Sequence, residues 1–158
     1  MKFKLAILIE KTPGEVFAFL RDLYQLPFRE HPVVPVYEKT TSGPVGVGTR
    51  FREIVRVPLL SEWQIVSEIT AFQPESYIEY KWLGPGMRGE LAYQVEPAPG
   101  GAMLVQRQTL NPMGLLKILN PFIAWIFSRQ IAARLEGIKA ILEGRARFAE
   151  ATRVEEER

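Results

Sequence analysis

Apolar and polar residues alternate over Phe3–Ile9, with Phe3, Leu5, Ile7 and Ile9 on one side of the chain. A period of two predicts a half-buried strand. Thr12-Pro13-Gly14-Glu15 then has the order of a helix start: Thr12 as cap, Pro13 at the first helical position and Glu15 as the capping-box acid. Val16, Phe17, Phe19, Leu20 and Leu23 give that helix an apolar face, and Leu26–His31 is expected to add a short second helix ended by Pro32. From Val36 the period returns to two. Strands are expected at Val36–Lys39, Gly48–Val57, Trp63–Phe72, Tyr77–Trp82, Gly89–Glu96 and Ala102–Thr109, with turn residues at Ser42–Gly46, Gln73–Ser76, Gly84–Gly86 and Pro97–Gly101. Asn111-Pro112 and Asn120-Pro121 each read as a cap followed by proline in the first helical turn. They predict a short helix over Met113–Leu119 and a longer one from Pro121 to about Phe148.

This order is one strand, one or two helices, six strands and a long helix. Consecutive strands joined by short turns imply an antiparallel sheet. One face of such a sheet needs an apolar cover. Ala124, Phe127, Ile131, Leu135, Ile138 and Leu142 recur at spacings of three and four and supply it. The expected architecture is α+β, an antiparallel sheet covered by a long C-terminal helix. One domain is expected over 1–148, followed by a charged tail over 149–158.

Composition narrows the chemistry. Hydrophobic residues make up 47% of the 158 positions and charged residues 24%, enough for a packed core. Cysteine is absent, which removes disulfides, thiol nucleophiles and cysteine metal sites. A single histidine and scattered carboxylates give no ligand-spaced metal cluster. Gly43, Gly46 and Gly48 lead into a strand and not a helix, so they form no phosphate loop. No serine stands in a nucleophile elbow. No cofactor is expected. A net charge of +2 is too small for a nucleic-acid-sized basic field. The N-terminus lacks the pattern of a signal peptide, and a cytoplasmic protein is expected.

Four stretches together resemble the START-like superfamily: IEKTPGEVFAFLRDL, GPVGVGTRFRE, ITAFQPESYIEYKW and YQVEPAPGGAMLVQRQT. This superfamily includes the polyketide cyclase/dehydrase-like and lipid-transfer proteins and the birch pollen allergen fold. The resemblance runs over Phe3–Phe148. It implies a helix-grip fold, a curved antiparallel sheet wrapped around a long C-terminal helix, with an apolar cavity between them. Ala102 stands where many members carry threonine after the Gly-Gly of the last hairpin, so no subfamily follows.

The strand register puts Phe51, Glu53, Val55, Trp63, Ile65, Ser67, Ile69, Ile78, Tyr80, Trp82, Tyr93, Val95, Leu104, Gln106 and Gln108 on the inward face. Phe127, Ile131 and Leu135 face them from the helix. A few polar groups among aromatics are the composition of a small-molecule pocket. A carboxylate such as Glu53 is costly in a dry core unless paired, and an arginine at the sheet edge is the alternative partner. Arg50, Arg52 and Arg56 share the other face, which reads as solvated.

The run LNPMGLLKILNPFIAWIF, residues 110–127, is too short and too interrupted to span a bilayer. Its apolar side chains exceed what one helix face buries. In the helix-grip fold that the resemblance implies, this segment forms a rim of the cavity, so Leu115, Leu116, Leu119 and Phe122 are rim candidates, and His31 of FREHP is expected near the cavity mouth. The same run is a candidate for transient contact with a membrane surface, for a homodimer interface, or for ordinary burial against the first helices. Three functions follow. The first is non-catalytic binding or transport of a hydrophobic ligand of lipid, quinone or polyketide-like type. The second is a cyclase or dehydratase in which Glu53, His31 or a pocket tyrosine moves protons. The third is a protein-interaction module using the apolar rim. The fold hosts all three.

Overall fold

The computed structural model describes residues 1–25, 36–56 and 62–144. His31, the expected helix over Leu26–His31, Val57 and the tail over 149–158 lie outside the described residues. So do the side chains of Arg56, Leu116, Leu119 and Asn120.

Strand β1 (Lys2–Ile9) leads into helix α1 (Pro13–Arg21), which starts where the capping box predicts. The Glu15 amide donates to Thr12 Oγ1 at 3.3 Å, and the Thr12 amide donates to Glu15 Oε2 at 2.9 Å. These bonds satisfy amides that the first helical turn leaves without partners. A 3-10 turn follows at Leu23–Gln25. The remaining strands are β2 (Val36–Lys39), β3 (Arg50–Arg56), β4 (Glu62–Gln73), β5 (Tyr77–Gly84), β6 (Met87–Ala98) and β7 (Gly101–Pro112). They form one antiparallel sheet in the order β1-β7-β6-β5-β4-β3-β2. A 3-10 segment at Gly114–Leu119 then leads to helix α2 (Asn120–Leu142). The result is a helix-grip fold.

The core lies between the sheet and the two helices. Val16, Phe17 and Leu20 of α1 and Leu135 and Ile138 of α2 form one buried cluster with Ile9, Ile69, Ile78, Val95, Ala102 and Leu104 of the sheet. Each fully buried leucine or isoleucine contributes about 1.5–3 kcal/mol. Polar contacts fasten the end of α2. Lys139 pairs with Glu143 at 3.0 Å and donates to the Leu8 carbonyl, while the Glu10 amide donates to Glu143 Oε1 at 2.8 Å.

Several boundaries differ from the sequence expectation. Asn111-Pro112 does not cap a helix. Strand β7 runs on through it, because Asn111 pairs with Arg88 and Pro112 with Met87. The Met1 ammonium also donates to the Leu110 carbonyl at 2.6 Å. Here the long hairpin outweighs the local capping signal. Residues 114–119 are 3-10 and not α-helical, and Gly114 sits at φ 58° between strand and turn. Pro97 and Ala98 belong to β6, not to the loop, since Pro97 pairs with Ala102. Helix α2 ends at Leu142, short of Phe148, where Gly144 takes the left-handed conformation at φ 71°. A bulge between Ile69 and Ala71 shifts the register of β4. It returns Phe72 to the inner face, where its ring meets Phe17 edge-on at 5.6 Å.

Candidate functional site

The predicted inward residues do share one face of the sheet. Cross-strand partners point to the same side, and the register links them in rows: Phe51 to Ser67 to Trp82, Glu53 to Ile65, and Val55 to Trp63. Ile69 pairs with Tyr80, Ile78 with Tyr93, Tyr93 with Gln106, and Val95 with Leu104. Gln108 lies opposite Leu91. Ile69, Ile78 and Leu104 are sealed in the core, as are Ile131 and Leu135 of α2. Phe51, Tyr80, Tyr93 and Gln106 are buried, whereas Glu53, Val55, Trp63, Ile65, Ser67, Trp82, Gln108 and Phe127 keep part of their surface accessible.

Two contributors escaped the sequence reading. Tyr37 on β2 lies directly opposite Glu53. Arg134 stands on α2, seven residues after Phe127, three after Ile131 and four before Ile138. That spacing puts a guanidinium in the apolar stripe, and a charge at a core spacing was the available signal.

The aromatic residues form a connected wall. The Tyr37 and Phe51 rings stack at 5.5 Å, Tyr24 lies 5.8 Å from Phe51, and Tyr80 meets Phe51 edge-on at 6.1 Å. Gly89 makes room for the neighbouring Trp82 indole. A Cβ there would come within 2.7 Å of the ring and 2.0 Å of the Thr109 carbonyl. Three polar atoms on this face are buried without a hydrogen-bond partner among the described residues: Trp82 Nε1, the Tyr93 hydroxyl and Gln106 Oε1. The Gln106 amide nitrogen donates to Gln108 Oε1 at 3.1 Å. Buried polar atoms are nearly always partnered, so three on one face are unusual.

Arg134 sets the electrostatics. Desolvation raises the Glu53 carboxyl above its ordinary range, and the Arg134 charge partly opposes that shift. Desolvation likewise pushes up the Tyr93, Tyr80 and Tyr37 hydroxyls, and the Arg134 charge draws each back part of the way. All three therefore remain phenols at neutral pH. The Arg134 guanidinium is held firmly protonated, first by Tyr93 and then by Glu53, against the opposing effect of burial. It lies beside the Tyr93 hydroxyl, although no hydrogen bond of ordinary geometry joins the two. Glu53, Tyr37 and Arg134 each keep accessible surface despite this desolvation.

The segment before α2 is exposed. Leu115 is 83% accessible, Ile118 77%, Phe122 60% and Trp125 55%. The Phe122 and Trp125 rings stack at 6.3 Å, and the Arg129 guanidinium sits 5.1 Å from the Trp125 ring. No helix among the described residues is long and apolar enough to cross a membrane. Two open depressions lie mainly off the inner face, although the larger also adjoins Phe51, Ser67, Trp82 and Gly89. One, of about 510 Å³, adjoins Arg88, Met113 and Lys117; the other, of about 1020 Å³, spreads over the outer face. The larger is lined by charges of both signs, including the paired Arg50 and Glu68, and suits solvent better than an apolar ligand.

Residues 1–143 match the family described as polyketide cyclase/dehydrase and lipid transport. No curated protein matches the chain. Solved structures share the fold at low identity. Ara h 8.0201 is 17% identical with a TM-score of 0.65, covering 91% of this chain and 95% of its own. A conserved protein from Geobacillus kaustophilus is 11% identical with a TM-score of 0.73, covering 91% and 96%. A protein from Thermus thermophilus is 17% identical with a TM-score of 0.71, covering 91% and 98%.

Proposed function

The chain belongs to the polyketide cyclase/dehydrase and lipid transport family, and on that premise we propose that it binds a hydrophobic small molecule, of lipid, quinone or polyketide-like type, between the inner sheet face and α2 without transforming it. One observation carries this reading. Glu53, Tyr37 and Arg134 are strongly desolvated and yet retain accessible surface. Groups packed against protein lose both solvation and surface, whereas groups bordering an internal space lose only the first. Aromatic walls with a few convergent polar atoms are the composition of small-molecule sites.

The exposed ridge of Leu115, Ile118, Phe122 and Trp125 fits the rim of such a site. A tryptophan with an apolar body and one polar N–H suits a lipid–water boundary. Lys117 and Arg129 are the only charged residues from 110 to 130, and both are basic. This charge favours an anionic lipid surface as the ridge's partner. The alternative, a cyclase or dehydratase, places proton transfer on Glu53, a tyrosine of the wall or His31, which lies outside the described residues.

Titration with the neutral fluorophore N-phenyl-1-naphthylamine tests the proposal. Binding should saturate at one probe per chain and quench tryptophan emission. Tyr93→Ala should change affinity while far-ultraviolet circular dichroism stays the same. A folded protein without saturable binding refutes the carrier reading. Conversion of a bound cyclase substrate that Glu53→Gln abolishes, with binding intact, replaces it by the enzymatic one.

A further inference from the structure

We infer that the ligand carries an oxyanion, a carboxylate or an ionised enol or phenol, and that Arg134 receives it together with the Tyr93 hydroxyl. This rests on the internal site proposed above and adds the chemistry of the ligand's head.

A guanidinium offers five donors in a planar fork and no acceptor. Taking one out of water is costly unless a counter-charge and hydrogen bonds replace the hydration. Among the described residues no carboxylate approaches Arg134 within the 4.0 Å of an ion pair. Among the described residues, the charged and titratable groups that face it are Tyr37 on β2, Glu53 on β3, Tyr80 on β5 and Tyr93 on β6. Three of these are phenols that hold their protons and supply no negative charge at neutral pH. Glu53 is the only carboxyl among them, it acts from beyond contact distance, and burial favours its neutral form. The helix thus presents a partly accessible cation that no carboxylate among the described residues touches.

The Tyr93 hydroxyl has the matching defect. Tyr93 is 3% exposed, and among the described residues its hydroxyl makes no hydrogen bond of ordinary geometry, although Arg134 lies beside it. A guanidinium can donate towards the phenol oxygen, but it cannot accept the phenolic proton, so that proton has no acceptor among the described residues. An oxyanion between them accepts from both. The guanidinium gives a charge-assisted bond, the stronger kind, and the phenol adds a second donor. The wall of Tyr80, Phe51 and Tyr37 then lies against the apolar body of the same ligand.

The test displaces N-phenyl-1-naphthylamine at pH 7.5 with two matched sets, dodecanoic acid against methyl dodecanoate and dodecanol, and 2-naphthoic acid against its methyl ester. In the native protein at least one acid should bind about ten- to hundredfold more tightly than its neutral partners, the range expected of a buried charge-assisted hydrogen bond. Arg134→Gln should erase the preference for acid and leave ester affinity nearly intact. Tyr93→Phe should reduce the preference without erasing it. Equal binding of acids and esters by native protein overturns the inference, as does an acid preference that persists in Arg134→Gln. If that variant does not fold, the native acid-to-ester ratio and its response to Tyr93→Phe decide. Saturable probe binding with no acid preference leaves the internal site standing and removes only the oxyanion. Absence of saturable binding by a folded protein removes both.

Discussion

The two faces of the sheet use charge in opposite ways. On the outer face Arg50 meets Glu68 at 2.7 Å and Arg52 meets Glu38 at 2.7 Å, each pair side by side in water. On the inner face Glu53 and Arg134 sense one another without touching, among phenols and hydrocarbon. The same strands carry both arrangements, since Arg52 and Glu53 are neighbours on β3. Exposed pairs contribute little because water solvates their charges almost as well apart as together. An interior charge without a contact partner lowers stability, and so it calls for a functional reason where a surface charge does not. The comparison teaches that the informative charges of this molecule are those the protein leaves unmatched.

The hydrocarbon between the faces sets the largest effect. Leu104→Ala in the sealed part of the inner face should cost about 2–5 kcal/mol in chemical denaturation, from lost burial and the cavity left behind. Arg134→Met should separate binding from stability. Replacing a desolvated charge, without a carboxylate in contact among the described residues, by an apolar side chain of similar length keeps or raises the melting temperature. Affinity for an acidic ligand should nevertheless fall about ten- to hundredfold in a displacement titration. A variant that loses stability instead shows Arg134 to be an internal structural tie.

Glu53→Gln sharpens the inner-face account through pH. The folded-state pKa of Glu53 lies above the unfolded value near 4.5. Its contribution to stability is therefore complete below that value and is lost as pH rises through the folded pKa. Melting temperatures of native and Glu53→Gln protein should agree most closely at acid pH, and the variant should gain relative to native protein as pH rises. A gap that stays constant from pH 4 to pH 8 contradicts a desolvated carboxyl. Leu115→Ser with Ile118→Ser should change stability by less than about 1 kcal/mol, given their exposure. The same double change should lower partitioning onto vesicles containing anionic phosphatidylglycerol, read by sedimentation. The smallest effect belongs to the outer face. Arg50→Ala should cost about 0.2–1 kcal/mol, and added salt should shrink the loss.

Much of this was legible in the sequence because strand periodicity is a strong signal. The alternation through β3 to β7 set the inward face correctly, and the Thr12–Glu15 capping box located α1. Errors came where tertiary pairing overrode a local cue. Asn111-Pro112 has the form of a helix start, yet the hairpin extends through it. Phe72 was missed because a bulge resets the period, which alternation alone does not encode. Arg134 is hidden for another reason: an amphipathic stripe is defined by its apolar members, and a charged residue at the same spacing carries no apolar signal. Tyr37 joined the site through its pairing with Glu53, and a four-residue strand is too short to announce its partner.

Native mass spectrometry of the protein purified without detergent, followed by extraction and identification of whatever accompanies it, tests the central claim most directly. The account predicts one apolar molecule per chain, released on unfolding and bearing an acidic oxygen, or uptake of one such molecule when the empty protein is offered it. A folded chain that carries nothing and takes up no hydrophobic ligand at any loading would contradict it.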